Sequence, residues 1–311
     1  MEDYAMLKIG VLGLGNIAQK AYLPVMAQMQ DRVDWYLCTR QPAKLAQLQA
    51  QYHFAHATDS IDDLLTSHLD SLFIHTPTPT HYALVRQALE NGLHVFIDKP
   101  LSEKPFEVAA LYQLAKQQNR LLMVGFNRRF APMIQQLAAL PTKHLIEVIK
   151  TRIDTLQPTP FAIYDLMIHP LDTALYLAGD IGSDYQVRTY CQQTDQHELL
   201  IARIQLETPH QLITVTLDMQ SGTNQEIATV QTPTGRYTVN NLTELVHQQA
   251  TGQQLETVAD WTPTLTNRGF APMIDAFISA IENDQPSPIS TASSRLSHEL
   301  CQQLIEDAKL R

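Results

Sequence analysis

Four stretches hold residue types from which a reaction centre can be built. Asp98-Lys99-Pro100 follows the apolar run 93–97 and ends a buried strand with an amine. Ligands of open α/β sheets bind at the carboxyl ends of the strands, where a lysine can steady charge on a reacting oxygen. Asp165, His169 and Asp172, spaced by four and three, fall on one helix face. An imidazole suits proton transfer near neutral pH, and an acid one turn earlier can orient it or hold a hydroxyl. Gly125-Phe126-Asn127-Arg128-Arg129-Phe130 carries adjacent arginines that point in different directions, so at most one faces a ligand. Arg128 is the candidate substrate contact, and its neighbour is left to the surface between domains. Finally, Gly13-Leu14-Gly15-Asn16-Ile17-Ala18 follows a strand and opens a helix, the setting of a dinucleotide-binding turn.

The turn has a definite physics. Gly13 permits the tight bend, Gly15 lets the backbone approach a pyrophosphate, and Ala18 keeps helix and strand close. The second strand ends Cys38-Thr39-Arg40, with no acid to grip the ribose 2′-hydroxyl of NAD. Arg40 pairing with a 2′-phosphate, aided by Thr39, favours NADP over NAD; the other reading has Arg40 stacked on the adenine or facing solvent. Thr76-Pro77-Thr78-Pro79-Thr80-His81 is read both as a helix start and as a contact for the nicotinamide ribose. The candidate cofactor contacts are Gly13, Gly15, Asn16, Ile17, Thr39, Arg40, Thr76, Pro77, His81 and Lys99. His75 is expected to face the core.

Plain structural readings stand beside these. Lys99 is otherwise a surface lysine paired with Asp98 or Glu103, and the Asp165–His169–Asp172 trio a salt-bridge cluster. The trio has too few ligands for a metal site, and none is expected. Trp261 and the turn 267–270 either line the cleft or pack.

Alternating short strands and helices position the first group. Strands are expected at 7–12, 33–39, 71–76, 93–97 and 121–124, with helices at 17–29 (bent at Pro24), 43–52, 81–91 and 106–118. That grammar is a parallel sheet of right-handed βαβ units. After residue 124 it changes: runs at 145–153, 185–191, 199–206, 212–219 and 227–231 are separated mostly by turns, which predicts a mainly antiparallel, open sheet. A helix at 163–177 interrupts them, and two more follow at 272–282 and 293–309. The expected division is a Rossmann domain over 1–124 and an α+β substrate domain over 125–311.

Composition bounds the rest. A length of 311 residues favours two domains, and a formal charge of −10 argues against a nucleic-acid partner. Three scattered cysteines predict neither a disulfide framework nor a zinc site. The acidic start is unlike a signal peptide, and no apolar run approaches the ~18–20 residues of a membrane span, so a cytoplasmic protein is expected.

The ordered series Gly13-x-Gly15-x-x-Ala18, Thr76-Pro77, Asp98-Lys99-Pro100 and Asp165-x-x-x-His169-x-x-Asp172 resembles the Gfo/Idh/MocA oxidoreductases. Finer features resemble the MviM subgroup: Asn16-Ile17-Ala18-Gln19-Lys20-Ala21, the segment from Val124 to Pro132, and Trp261 followed by Arg268-Gly269-Phe270. The resemblance implies NAD(P)-dependent hydride exchange with a secondary alcohol or carbonyl of a sugar, cyclitol or related molecule. It gives catalytic roles to Lys99, Asp165 and His169 and implies a homodimer or homotetramer; Arg128 and Asp172 are expected from their own positions to orient the substrate. The family's usual glutamate before the lysine is Asp98 here, and the glycine before its histidine gives way to Met167 or Ile168. The contrasting reading is a catalytically idle dinucleotide-binding sensor or assembly protein, which needs only the first domain's turn.

Overall fold

The computed structural model describes residues 6–309; the acidic start, residues 1–4, lies outside the described residues. Two compact units emerge: residues up to Gly125 with Phe270–Thr291, and Phe126–Gly269 with the chain from Ala292 onward.

The first unit is built on a parallel sheet of β1 (Leu7–Leu12), β2 (Val33–Cys38), β3 (His56–Thr58), β4 (Ser71–Ile74), β5 (His94–Ile97) and β6 (Leu122–Val124). Their spatial order, β3-β2-β1-β4-β5-β6, is the doubly wound Rossmann arrangement. All of β4 is buried, as are Val95, Phe96 and Ile97 of β5, as expected when both sheet faces are covered. The expected bent helix at 17–29 is three joined turns: a π-helical turn Ala18–Tyr22, an α-helical turn Leu23–Met26 with Pro24 inside, and a 3₁₀ turn Ala27–Met29.

The division of the chain differs from the continuous one expected. The helix Phe270–Glu282 belongs to the first unit, where Phe277 packs edge-on against Phe73 at 5.4 Å and Phe96 at 5.6 Å. Arg32 anchors the same helix through Asp275, Ser279 and Glu282. A reading by local pattern cannot see this, because the helix period is the same whichever sheet the helix covers.

The second unit holds β7 (Leu145–Thr151), β8 (Gln186–Gln193), β9 (Leu199–Glu207), β10 (Leu212–Asp218), β11 (Glu226–Thr232), β12 (Gly235–Asn240), β13 (Glu244–Gln249) and β14 (Gly252–Thr257). They form one sheet of order β14-β13-β12-β11-β7-β10-β9-β8. All neighbours are antiparallel except β7 and β10. The terminal hairpins escaped the sequence reading because β14, Gly-Gln-Gln-Leu-Glu-Thr, is exposed throughout and shows no apolar alternation. The helix Ile168–Ala178 covers one face and is almost wholly buried. Among the described residues no helix is long and apolar enough to cross a membrane.

Candidate functional site

The turn after β1 is specified by its glycines. Gly13 sits at φ +93°, and a Cβ there would lie 2.8 Å from the carbonyl carbon of His75, so only glycine fits. Its N–H donates to the Cys38 carbonyl at 3.0 Å, tying the ends of β1 and β2 together. Gly15 is different: a Cβ there would meet nothing within 4 Å, so the space over its backbone is open to a ligand. Asn16 and Ile17 follow, both exposed, and Ala18 is fully buried against the sheet.

Both glycines line a cavity of about 930 Å³ at the carboxyl ends of the strands, together with Thr39, Arg40, Thr76 and Pro77. A glycine-lined cradle at a helix entry fits a dinucleotide. Lys44, four residues beyond Arg40 in the first turn of the helix Pro42–Tyr52, lines the same cavity. The sequence reading missed it, although the spacing of four was visible.

Lys99, partly exposed, follows β5 through a tightly held Asp98. Asp98 accepts from the Tyr22 hydroxyl on Oδ1 at 2.8 Å, and its Oδ2 lies 3.2 Å from His75 Nδ1. Burial works against this carboxylate, but the His75 and Tyr22 bonds and the Lys99 charge outweigh it and hold Asp98 below its ordinary range. Burial, then Asp98, pushes the Tyr22 phenol well up. His75 is core-facing as expected, its ring tilted 34° against Tyr22 with centroids 3.9 Å apart, and its buried Nε2 has no hydrogen-bond partner.

His81 corrects an expectation. It is 1% exposed, with Nδ1 2.8 Å from the Pro100 carbonyl and Nε2 2.8 Å from the Thr76 carbonyl. The ring fastens the loop after β4 to the loop after β5 and has no nitrogen left for a cofactor. Burial lowers its pKa, although both carbonyl contacts favour the protonated ring.

In the second unit the predicted acid–histidine trio divides. Asp165 lies in a π-helical turn, Ile163–Met167, ahead of the helix carrying His169 and Asp172, so the regular one-face spacing does not apply to it. Asp172 is 1% exposed and accepts from Arg129 Nε at 2.8 Å, Arg129 Nη2 at 2.5 Å and Ser297 Oγ at 3.0 Å. This corrects the substrate-binding role expected for Asp172: its oxygens close a buried ion pair. Arg129 is likewise an internal residue of this unit, 5% exposed.

Arg128 faces the other way, as two adjacent arginines must. Its Nε and Nη2 donate to the two oxygens of Glu226, and its Nη1 donates to His169 Nδ1 at 2.8 Å and Asn127 Oδ1 at 3.2 Å. Four of the five N–H groups of Arg128 are engaged, so its foremost role here is to position His169. An arginine cannot accept, so His169 Nδ1 must, and the neutral ring carries its hydrogen on Nε2. The lone pair needed for the expected proton shuttle is therefore occupied, and Nε2–H is a fixed donor.

Glu226 also accepts from Lys150 Nζ at 2.5 Å. Burial opposes its charge, but Arg128 and Lys150 together hold the carboxyl far below its usual range. Lys150 shares that one acid with Arg128, and burial with the repulsion of Arg128 and Arg152 takes it down to about 8. The sequence reading missed Lys150 and Glu226. The available signal was parity: Ile146 and Val148 point into the core, and Lys150 stands at the next inward position. Trp261, expected to pack or line a cleft, is 94% exposed.

Residues 7–126 match the oxidoreductase family with an NAD-binding Rossmann fold, and residues 132–250 match the YceM-like C-terminal domain. The chain is 31% identical to YceM of Salmonella typhimurium over 308 residues, 97% of this chain and 98% of that one. It is 30% identical over 206 residues to a UDP-N-acetylglucosamine 3-dehydrogenase of Acidithiobacillus ferrooxidans, 63% of this chain and 62% of that one. A crystal structure of a Clostridium difficile dehydrogenase (MviM) superposes with a TM-score of 0.90 at 28% identity, over 97% of this chain and 99% of that one. Matches that run through both units, on a fold of this topology, make the chain a member of the Gfo/Idh/MocA oxidoreductase family, in its MviM-like subgroup.

Proposed function

We propose that the chain exchanges a hydride between a nicotinamide dinucleotide, NADP in preference to NAD, and a secondary alcohol or carbonyl of a sugar, cyclitol or related small molecule. The observation that carries this reading is the Gly13–Gly15 turn, open over Gly15, on a cavity at the ends of strands whose β5 leads into Lys99. Arg40 and Lys44, two cations lining that cavity where β2 ends, support NADP by offering a 2′-phosphate paired charge.

When bound, the dinucleotide supplies or takes the hydride. Lys99 gives a proton to the carbonyl oxygen during reduction and takes it back from the alcohol during oxidation. His169 donates from Nε2 to a substrate oxygen, held in that tautomer by Arg128. Asp165 holds a second hydroxyl of the substrate. The relative named UDP-N-acetylglucosamine 3-dehydrogenase supports a CH–OH reaction on a sugar. On this reading the protein works in the cytoplasm as a homodimer or homotetramer.

The test follows nicotinamide absorbance with purified protein and a panel of polyols, inositols and ketoses. Turnover of at least one is expected. His169→Ala should lower kcat about 10²–10³-fold, as for loss of an oxyanion donor, with NADP affinity unchanged. Normal turnover in that variant refutes the assignment. Cofactor binding without turnover across the panel, plus a ligand-dependent association state, replaces the enzyme with an idle sensor or assembly protein.

A further inference from the structure

The second unit concentrates positive charge beside His169. Arg128 and Lys150 are buried, and both bind the one carboxylate of Glu226. Arg152 follows the end of β7, two residues past the buried Lys150, and its backbone N–H donates to the Asp218 carbonyl at 2.8 Å. Arg268 is brought in by its backbone: its carbonyl accepts from Asn127 Nδ2 at 2.7 Å. The adjoining Gly269 lies so close to the segment carrying Arg128 that a Cβ there would stand 2.0 Å from the Asn127 carbonyl oxygen. Among the described residues neither Arg152 nor Arg268 has an acid within salt-bridge distance, and Glu226 accepts only one of the three N–H groups of Lys150. The mutual repulsion is felt: burial and then Arg128 lower the Arg268 guanidinium, and Arg152 lowers both it and Lys150.

Four cations around one acid leave an excess of three positive charges, in a chain whose formal charge is −10. Lys150 is buried, Arg152 half-buried and Arg268 exposed, so an anion arriving from solvent can reach the set and be held by charge-assisted hydrogen bonds. Glu226 is itself fully engaged, so the deficit is at Arg152, Arg268 and the remaining hydrogens of Lys150. Nothing in hydride transfer to a neutral polyol calls for this charge, whereas a substrate with an oxyanion next to its reacting carbon would be oriented by it.

We infer that Lys150, Arg152 and Arg268 form a recognition site for an anionic group, carboxylate or phosphate, on the substrate, which would be a sugar acid or sugar phosphate instead of a neutral sugar or cyclitol. The inference rests on the dehydrogenase reading for the word substrate, but the binding site stands or falls by itself.

Binding of D-glucuronate, D-glucose 6-phosphate and D-glucose to the full chain is measured by calorimetry, at low and high salt. Charge-assisted contacts predict that at least one charged probe binds about 10- to 100-fold more tightly than D-glucose, with the advantage shrinking in high salt. The better of the two identifies carboxylate or phosphate. Arg152→Gln with Arg268→Gln should remove most of the preference. Arg203→Gln, an exposed arginine on the outward face of β9, should leave it unchanged. Charged probes that bind no better than D-glucose, or that bind the double variant as tightly as the parent, overturn the inference. Absorbance turnover separates the two readings. Preferential binding without turnover keeps the anion site and removes the dehydrogenase, whereas turnover of D-glucose or myo-inositol without charge preference does the reverse.

Discussion

Nη1 of Arg128 lies 2.8 Å from Nδ1 of His169, and the guanidinium side must donate. One hydrogen bond therefore fixes the tautomer of the imidazole and closes its second nitrogen to protons. Lysine at position 128 cannot both fork onto Glu226 and reach the ring. Arg128→Lys is expected to lower kcat about tenfold or more at unchanged cofactor affinity. Steady-state assays of the variant beside cofactor titrations check both expectations.

Arg40 and Lys44 line the cofactor cavity where β2 ends, the position at which a 2′-phosphate is distinguished from a hydroxyl. Arg40→Gln and Lys44→Gln should each weaken NADP binding by about tenfold or more, from about 1.5–3 kcal/mol per charged hydrogen bond, and leave NAD binding nearly as before. Fluorescence titration with both dinucleotides decides it; equal losses would point to the adenine instead.

The Arg129–Asp172 pair is buried on both sides, with side-chain exposures of 6% and 1%. Asp172→Ala strands a buried guanidinium and is expected to cost about 3–5 kcal/mol in chemical denaturation. By contrast, the Arg86–Glu90 pair is 56% and 47% exposed, and Glu90→Ala should leave the denaturation midpoint nearly unchanged.

His298 is fully buried, with Nδ1 2.7 Å from the Ser294 carbonyl, and burial takes its pKa down to about 4. The unfolded chain, titrating near the ordinary 6.5, binds the additional proton between those values. Stability is thus intact above about pH 6.5 and falls as the pH drops toward 4, by up to about 3 kcal/mol. Urea midpoints from pH 7 to pH 4 should show this slope, and His298→Gln should flatten it.

Local pattern was enough for the first unit's framework. The strand–turn–helix around Gly13 and Gly15, the apolar run before Lys99 and the helix after Thr80 are dictated by short-range rules of turn geometry, burial on two faces and helix entry, all written in neighbouring residues. The same rules made the change to an antiparallel sheet after Gly125 visible. They failed for β14, whose polar residues are held only by hairpin pairing, and for the unit to which the expected helix at 272–282 belongs, since its partners Phe73 and Phe96 lie far back in the chain.

The site divides along the same line. Residue types and spacing nominated Lys99, Asp165, His169 and the paired arginines, because those chemistries are intrinsic to the side chains. Which acid each arginine holds, which nitrogen of His169 carries hydrogen, and that Lys150 and Glu226 stand beside it were decided by tertiary structure alone. Glu226 is 98 residues from Arg128, and Asp172 is 43 from Arg129. Pairings over such distances arise when strands and helices pack, since a charge buried by packing must find its partner wherever the fold brings one.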